Sequence, residues 1–261
     1  MLLPNKVAII TGGASGIGKG IALKFAQEGC SVVIADIMEK EALSTVDEIA
    51  KAGRKSLFIR CDVTSNRQVQ DMVEQVIREF QKIDILVNNA GGISASTGAI
   101  EDVSEEQWDK TLNLNLKSQF LCCKAVVPHM KAKRYGKIIN MSSIGAISPP
   151  VSFIHYHAAK AGVLGITCNL AVELASFNIN VNAILPGPVR TQFWNPLTKE
   201  LPSEDAFFKD LGKKEVPMQR VGTPEDIAGT ALYLASELSS FVTGESIFVS
   251  GGLPLHISSR E

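Results

Sequence analysis

The stretch Val7-Ala8-Ile9-Ile10-Thr11-Gly12-Gly13-Ala14-Ser15-Gly16-Ile17-Gly18 decides how the chain folds. Val7–Ile10 is a short apolar run bounded by polar and turn residues, which reads as a strand buried on both faces of a parallel sheet. The turn after it opens a helix and carries glycines at 12, 16 and 18. Glycine permits the tight turn and lets backbone approach a pyrophosphate seated on the positive end of that helix. The spacing is not G-x-G-x-x-G, and glycine also serves any sharp strand–helix turn, so context has to decide.

Working outward, further short apolar runs fall at Val32–Ala35, Leu57–Ile59, Ile83–Val87, Ile138–Asn140, Val181–Leu185 and Ile247–Val249. Helical patterns lie between them. Val69, Met72, Val73, Val76, Ile77 and Phe80 recur at helical spacing after the cap candidates Thr64-Ser65. A helix is expected from about Ser104 to Met130, with Ser104 and Gln107 as a capping box. Another begins near Thr223-Pro224-Glu225-Asp226, with proline and acids in its first turn. This alternation predicts one α/β domain over 1–261, a doubly wound parallel sheet between two helical layers. The irregular segment Pro186–Glu215 departs from the pattern. Its Phe193, Trp194, Phe207 and Phe208 favour a substrate-covering loop over about 188–215.

Composition limits the function. The chain has 261 residues, 45% hydrophobic and 20% charged, with 26 basic and 27 acidic side chains for a net charge of −1. That balance speaks against nucleic acid or an anionic membrane surface as partner. No uninterrupted apolar run reaches the ~20 residues of a membrane span, and no signal peptide is visible. Cys30, Cys61, Cys122, Cys123 and Cys168 are odd in number and lack C-x-x-C, so buried free thiols in a reducing cytoplasm are expected.

Within this frame several residues carry chemistry. Asp36 ends the second strand, where an acid accepts hydrogen bonds from an adenosine ribose 2′-hydroxyl and repels a 2′-phosphate. Neither Ser15 nor Ile37 supplies a cation for such a phosphate, although Lys19 and Lys40 are not far away, so NAD is expected over NADP. Asn88-Asn89-Ala90-Gly91-Gly92 ends the fourth strand, where the asparagines either meet cofactor or hold neighbouring backbone. Asn113 and Asn115 sit within a helix, where asparagine is a mediocre former and a helix irregularity is one reading.

Tyr156 and Lys160, in Tyr156-His157-Ala158-Ala159-Lys160, are i, i+4 neighbours if the helix begins near His155. A tyrosine near pKa ~10 must fall by roughly 2–3 units to act as a base at neutral pH, a differential of about 3–4 kcal/mol. An ammonium ~4 Å away at an effective dielectric of about 20 supplies that much. His155 and His157 are expected to project off the tyrosine's face, as packing, interface or substrate-wall residues.

Taken together, T-G-G-A-S-G-I-G at 11–18, N-N-A-G at 88–91, Asn115, Ser143, Y-H-A-A-K at 156–160 and P-G-P-V-R-T at 186–191 resemble the short-chain dehydrogenase/reductase family, common NAD(P)-dependent subgroup. The resemblance spans nearly the whole chain and implies a Rossmann fold. It implies Tyr156 as general acid/base, Lys160 lowering its pKa and holding the nicotinamide ribose, Ser143 on the substrate oxygen and Asn115 anchoring a water. Gly12, Ser15, Gly16, Ile17 and Gly18 would line the diphosphate, Asp36 the adenosine ribose, and Asp62 and Val63 the adenine, although Asp62 equally suits a local cap. Asn89, Ala90 and Gly91, with Pro186, Gly187, Val189 and Thr191, would complete the cofactor site. Gly92, Ile93, Ile144, Pro149, Phe153, Phe193 and Trp194 are candidate pocket walls, mostly apolar, which favours a hydrophobic or cyclic secondary alcohol.

The reading that follows is NAD-dependent oxidation or reduction at such an alcohol, without metal, in a cytoplasmic homotetramer or homodimer. Two others stand beside it: a 3-oxoacyl-thioester reductase acting on carrier-protein or coenzyme A esters, and a non-catalytic NAD-binding sensor. The carrier-protein reductases of the family prefer NADPH and present surface cations. Here Lys131, Lys133, Arg134 and Lys137 are candidates, but Phe177 stands where a basic residue is common. The full set Asn115, Ser143, Tyr156 and Lys160 weighs against the sensor.

Overall fold

The computed structural model describes residues 1–93, 99–150 and 152–254. Seven strands, β1 (Val7–Thr11), β2 (Ser31–Asp36), β3 (Ser56–Arg60), β4 (Ile85–Asn88), β5 (Gly136–Met141), β6 (Ile179–Pro186) and β7 (Ser246–Val249), form one parallel sheet in the order β3-β2-β1-β4-β5-β6-β7. Every expected strand is present, displaced by two residues or fewer. The helices are α1 (Gly16–Gln27), α2 (Glu39–Lys51), α3 (Asn66–Phe80), α4 (Glu105–Leu112), α5 (Ser118–Lys133), α6 (Ile154–Leu174), α7 (Asn195–Thr198), α8 (Glu204–Glu215) and α9 (Pro224–Ala235).

Alternate residues of each strand enter different cores, as period-two geometry requires. Ala8, Ile10, Val32, Ile34 and Ile85 pack with α1, α2 and α9, through Phe25, Ile49 and Ile227 among others. Val7, Ile9, Val33 and Leu86 pack on the other face with α3, α5 and α6, through Met72, Val126 and Leu174. The strand order reverses direction between β1 and β4, and a crevice opens there at the carboxyl ends of the strands.

The expected helix over Ser104–Met130 divides in two. Ser104 and Gln107 close the capping box on α4, but a π-helical turn over Asn113–Lys117 separates it from α5. The amide of Asn115 donates to the Thr111 carbonyl at 3.1 Å, replacing part of the backbone ladder. Alpha-helical spacing does not reveal such a turn, although the two asparagines marked its place. Helix α6, with its extension to Phe177, is long and apolar enough on composition to cross a membrane. It packs instead against β6 and α4 and carries the buried Lys160. Cys30, Cys61, Cys122 and Cys123 are buried free thiols as expected, whereas Cys168 is exposed on α6.

Candidate active site

Between β1 and α1 the chain makes the turn that the glycines require. Gly12 sits at φ +65°, and a Cβ there would come within 2.9 Å of Ala90 Cα. A Cβ on Gly18 would lie 2.1 Å from the Gly12 carbonyl oxygen, so helix and turn touch backbone to backbone. Gly18 is therefore a spacer behind the turn, not a cavity wall; the other expected diphosphate residues, Gly12, Ser15, Gly16 and Ile17, do line the cavity. Asn89 closes the turn, its amide donating to the carbonyls of Thr11 at 3.1 Å and Gly12 at 3.0 Å. The Thr11 hydroxyl accepts from the backbone amides of Asn89 and Ala90. Of the two readings open for Asn89, holding backbone is realised, and the residue also faces the cavity with Ala90 and Gly91.

This cradle fits an anionic diphosphate. Ser15 caps α1 without a side-chain hydrogen bond to the helix, and the first turn holds no acid. By contrast, Ser65, Ser104 and Ser203 each accept a bond from their own helix amides. The amino end of α1 thus offers an anion its backbone N–H groups and positive dipole end.

At the far end of the same crevice the Asp36 carboxylate is fixed by two backbone amides, Ala14 onto Oδ2 and Met38 onto Oδ1, both at 3.0 Å. Each oxygen retains a lone pair for a ribose hydroxyl. Lys19 is held at 2.6 Å by Glu48. Of the two roles left open for Asp62, the local one is realised, and the residue also faces the cavity. Its Oδ1 accepts from the amide and hydroxyl of Thr64, at 2.9 and 2.7 Å, while the residue lines the cavity beside Val63.

The reactive end gathers around α6. Lys160 is 3% exposed, and its ammonium donates to the Met141 carbonyl at 2.9 Å. Tyr156 lies one turn earlier, its ring centroid 5.6 Å from Lys160 Nζ. Ser143 ends the loop after β5, hydrogen-bonds Tyr156 and accepts from the Gly145 amide at 3.1 Å. The Asn115 side chain clamps Gly92, receiving its amide at 3.1 Å and donating to its carbonyl at 2.9 Å. A Cβ on Gly91 would meet Asn115 Oδ1 at 2.7 Å and Lys160 Nζ at 3.4 Å, so these two side chains converge on one glycine.

Electrostatically the pair differs from the expectation built on a nearby ammonium. Burial pushes the Tyr156 phenol up to about 12, opposed by the Ser143 hydrogen bond. Burial also pushes the Lys160 ammonium down to about 7, so that it is half neutral where it was expected to be a full charge. The protein alone favours the neutral pair and holds the proton on Tyr156.

The substrate end is apolar, as expected. Gly92, Ile93, Ile144, Phe153, Phe193 and Trp194 line it; Pro150 takes the place expected of Pro149, which is exposed and does not line the cavity. Pro186, Gly187, Val189 and Thr191 line the cavity, and a Cβ on Gly16 would come within 3.3 Å of the Thr191 side chain. Aromatic rings run outward from Tyr156 to Phe193 at 5.6 Å, Trp194 at 5.9 Å and Phe207 at 5.9 Å. Arg190 pairs with Glu204 and Asp205 at the start of α8, fastening this segment. Of the roles expected for His157, substrate wall fits its position: it lines the cavity, with its ring against Gly145. The cavity encloses about 570 Å³, within the range of a cofactor-and-substrate cleft.

The comparisons with known proteins agree with this geometry. A family model described as enoyl-(acyl carrier protein) reductase matches residues 12–254. A curated relative from Thauera aromatica, (2S)-[(R)-hydroxy(phenyl)methyl]succinyl-CoA dehydrogenase subunit BbsD, is 44% identical over 98% of this chain and 99% of its own. The 3-oxoacyl-[acyl-carrier-protein] reductase FabG of Thermotoga maritima is 41% identical over 97% of this chain and 99% of its own. Among solved structures, levodione reductase superposes with a TM-score of 0.90 at 29% identity, covering 96% of this chain and 98% of that one. A short-chain type dehydrogenase/reductase from Mycobacterium marinum superposes at 0.89 and 37%, with 97% of each chain covered. With a parallel Rossmann sheet, a dinucleotide cradle and a Ser143–Tyr156–Lys160 cluster in one crevice, the chain belongs to the short-chain dehydrogenase/reductase family, whose members are nicotinamide-dependent oxidoreductases acting on CH–OH groups.

Proposed function

We propose that this protein is an NAD-dependent dehydrogenase/reductase that interconverts a hydrophobic or cyclic secondary alcohol and its ketone. The observation that carries the choice of NAD is Asp36, whose carboxylate two backbone amides hold at the adenosine end of the cavity. A 2′-phosphate placed there meets a fixed negative charge.

The bound nicotinamide supplies the two-electron redox chemistry, and the protein supplies geometry and proton transfer. Tyr156 exchanges a proton with the carbinol oxygen, and Ser143 donates a hydrogen bond to that oxygen as charge develops on it. Lys160 holds the nicotinamide ribose and, when protonated, favours the phenolate of Tyr156. Asn115 fixes Gly92 at the mouth of the reactive end and anchors a water beside Lys160. The segment over about 188–215 covers the substrate through Phe193 and Trp194. On the same footing the protein is a single domain that assembles as a homotetramer or homodimer and works in the cytoplasm. Support for assembly comes from the exposed Phe120 and Val172 on α5 and α6, and Phe248 on the edge strand β7.

The second reading, a 3-oxoacyl-thioester reductase, draws on the names of the relatives from Thauera aromatica and Thermotoga maritima. Its carrier-protein form finds little support at the surface. Lys131 pairs with Glu173 and lies over Phe177, Arg134 donates to the Ser176 carbonyl, Lys133 pairs with Asp84, and Lys137 is buried on Asn180. None of these cations is left free for an acidic carrier. The coenzyme A form has no such objection.

The deciding experiment is NADH formation from NAD+, and NADPH from NADP+, across aliphatic, cyclic, steroidal and 3-hydroxyacyl-thioester alcohols, with Tyr156→Phe as control. Turnover with NAD+ that vanishes in the variant is expected. A preference for NADP+, or undiminished turnover in the variant, defeats the proposal.

A further inference from the structure

At the end of β5 the Met141 carbonyl is the meeting point of two buried side chains. Pairing of β4 with β5 stops at Asn88 and Asn140, one residue short of it. The Lys160 ammonium donates to this oxygen at 2.9 Å and the Gln119 amide at 3.0 Å. Gln119 lies on α5, one turn after Asn115, and is 2% exposed. Its amide nitrogen also donates to the Asn115 carbonyl at 3.4 Å, at the π turn. Two carbonyls thus take both amide hydrogens, and among the described residues no donor meets the amide oxygen, Oε1.

Such an amide is costly where it stands. Leucine or methionine would fill similar space without burying an unpaired oxygen. Nor does Lys160 need it as a tether, since the lysine already has the carbonyl. What the amide changes is the consequence of the lysine leaving. A buried carbonyl stripped of its donor loses a hydrogen bond and regains none. With Gln119 in place the Met141 oxygen keeps one partner throughout. We propose that Gln119 is a positioning residue that makes Lys160 releasable. Its amide holds the Met141 carbonyl while the ammonium moves from that oxygen to the nicotinamide ribose. The inference rests on the cofactor role given to Lys160 above and adds the residue that permits it. Lys160 is placed for the exchange. Its ammonium has three N–H groups, and Gly91, which lines the cavity beside it, presents no side chain to Nζ. Burial alone perturbs the ammonium, and among the described residues no carboxylate pins it in place.

The cost of release falls on cofactor binding, so it reads in KM and not in kcat. Gln119→Met and Gln119→Leu should raise the Kd for NADH, by fluorescence titration, and the KM for NAD+ about tenfold. Their kcat should stay within about threefold of wild type. Two apolar variants guard against one failing to fold. In a Lys160→Met background no lysine is released, and the same substitutions should leave NADH affinity within about twofold. A residue that merely packs would weaken binding equally in both backgrounds. The nucleotide-free protein gives a second readout. Met141 keeps a side-chain donor in either single variant and loses both in Lys160→Met with Gln119→Met. That double variant should melt about 3 °C or more below the sum of the single shifts. Unchanged NADH affinity in the Gln119 variants, equal losses in both backgrounds, or additive melting shifts overturn the assignment. The expected NADH pattern without turnover of any alcohol with NAD+ defeats the dehydrogenase reading alone, and a wild type that binds no NADH defeats both.

Discussion

Replacing Lys160 by methionine should stabilise the fold while removing activity. Lys160 is 3% exposed, and burial lowers its ammonium from 10.5 to about 7. At about 1.4 kcal/mol per pKa unit, holding the proton in the folded state costs roughly 4–5 kcal/mol relative to the unfolded chain. Against this stands the hydrogen bond to the Met141 carbonyl, about 1 kcal/mol. That carbonyl keeps a partner in the variant, because the Gln119 amide also donates to it at 3.0 Å. A net gain of about 2–4 kcal/mol at pH 7 is expected. The sign with pH follows from proton counting. Between about 7 and 10.5 the unfolded lysine holds a proton that the folded one has released, so wild-type stability rises with pH across this window. Below it the cost is present in full. The gain in Lys160→Met should therefore be largest at or below pH 7 and shrink by up to ~1.4 kcal/mol per pH unit above it. Burial also raises Tyr156 to about 12, Cys30 and Cys123 to about 12 and Cys61 to about 11, which lowers stability at high pH, but equally in both proteins. Urea unfolding of both at pH 6.5, 8 and 9.5 measures the difference. Parallel stability profiles would sink the claim that a buried, partly discharged lysine sits beside Tyr156.

Three further outcomes are expected. Asp36→Ala should lower the NAD-over-NADP ratio of kcat/KM at least tenfold, since it removes a fixed charge facing the adenosine ribose; an unchanged ratio refutes the assignment. Gly18→Ala places a Cβ 2.1 Å from the Gly12 oxygen, backbone that cannot give cheaply. A loss of about 1–3 kcal/mol and weaker nucleotide binding should follow, and wild-type Tm and affinity would contradict the backbone contact. Tyr156→Phe should reduce turnover by two orders of magnitude or more while cofactor affinity stays within a few-fold, read by kinetics and by titration of NADH fluorescence.

How much of this could be read from residues alone varied with the range of the interaction. All seven strands were legible because runs such as Val32–Ala35 are buried on both faces and bounded by turns. The caps at Ser65, Ser104 and Thr223 were legible because capping acts over three residues. The π turn at Asn113–Lys117 was legible only as one reading of two asparagines within a helix, since the contact of the Asn115 amide with Gly92 spans 23 residues of sequence. Choosing between Pro149 and Pro150 needed the loop's backbone path. For His157 the residues alone left packing, interface and substrate wall open, and only the three-dimensional path of the Ser143 loop, which brings Gly145 under its ring, separates them. For Lys160 the sequence argument assumed an exposed-type charge, whereas 3% exposure reverses the balance between attraction and desolvation.

These failures share a location. Ser152 at φ +109° and Phe153 at φ +56° precede the Tyr156 helix, and a bulky aromatic in that region is costly. Among the described residues, the other non-glycine positions with positive φ are Asn5, Gln81, Arg134, Asn178 and Gln219, polar residues in turns or at helix ends. The π turn, the uncapped amino end of α1 and the desolvated Lys160 all border the same cavity. Local rules hold through most of the sheet and its two cores, and several of their lapses gather around that crevice. A sequence under selection for stability alone has no reason to keep a buried lysine, an unfilled cap and a strained phenylalanine within one cleft. Under the function proposed above each has a reason: an anion would satisfy the free amides, a substrate would cover Phe153, and proton exchange with Tyr156 would draw on the lysine.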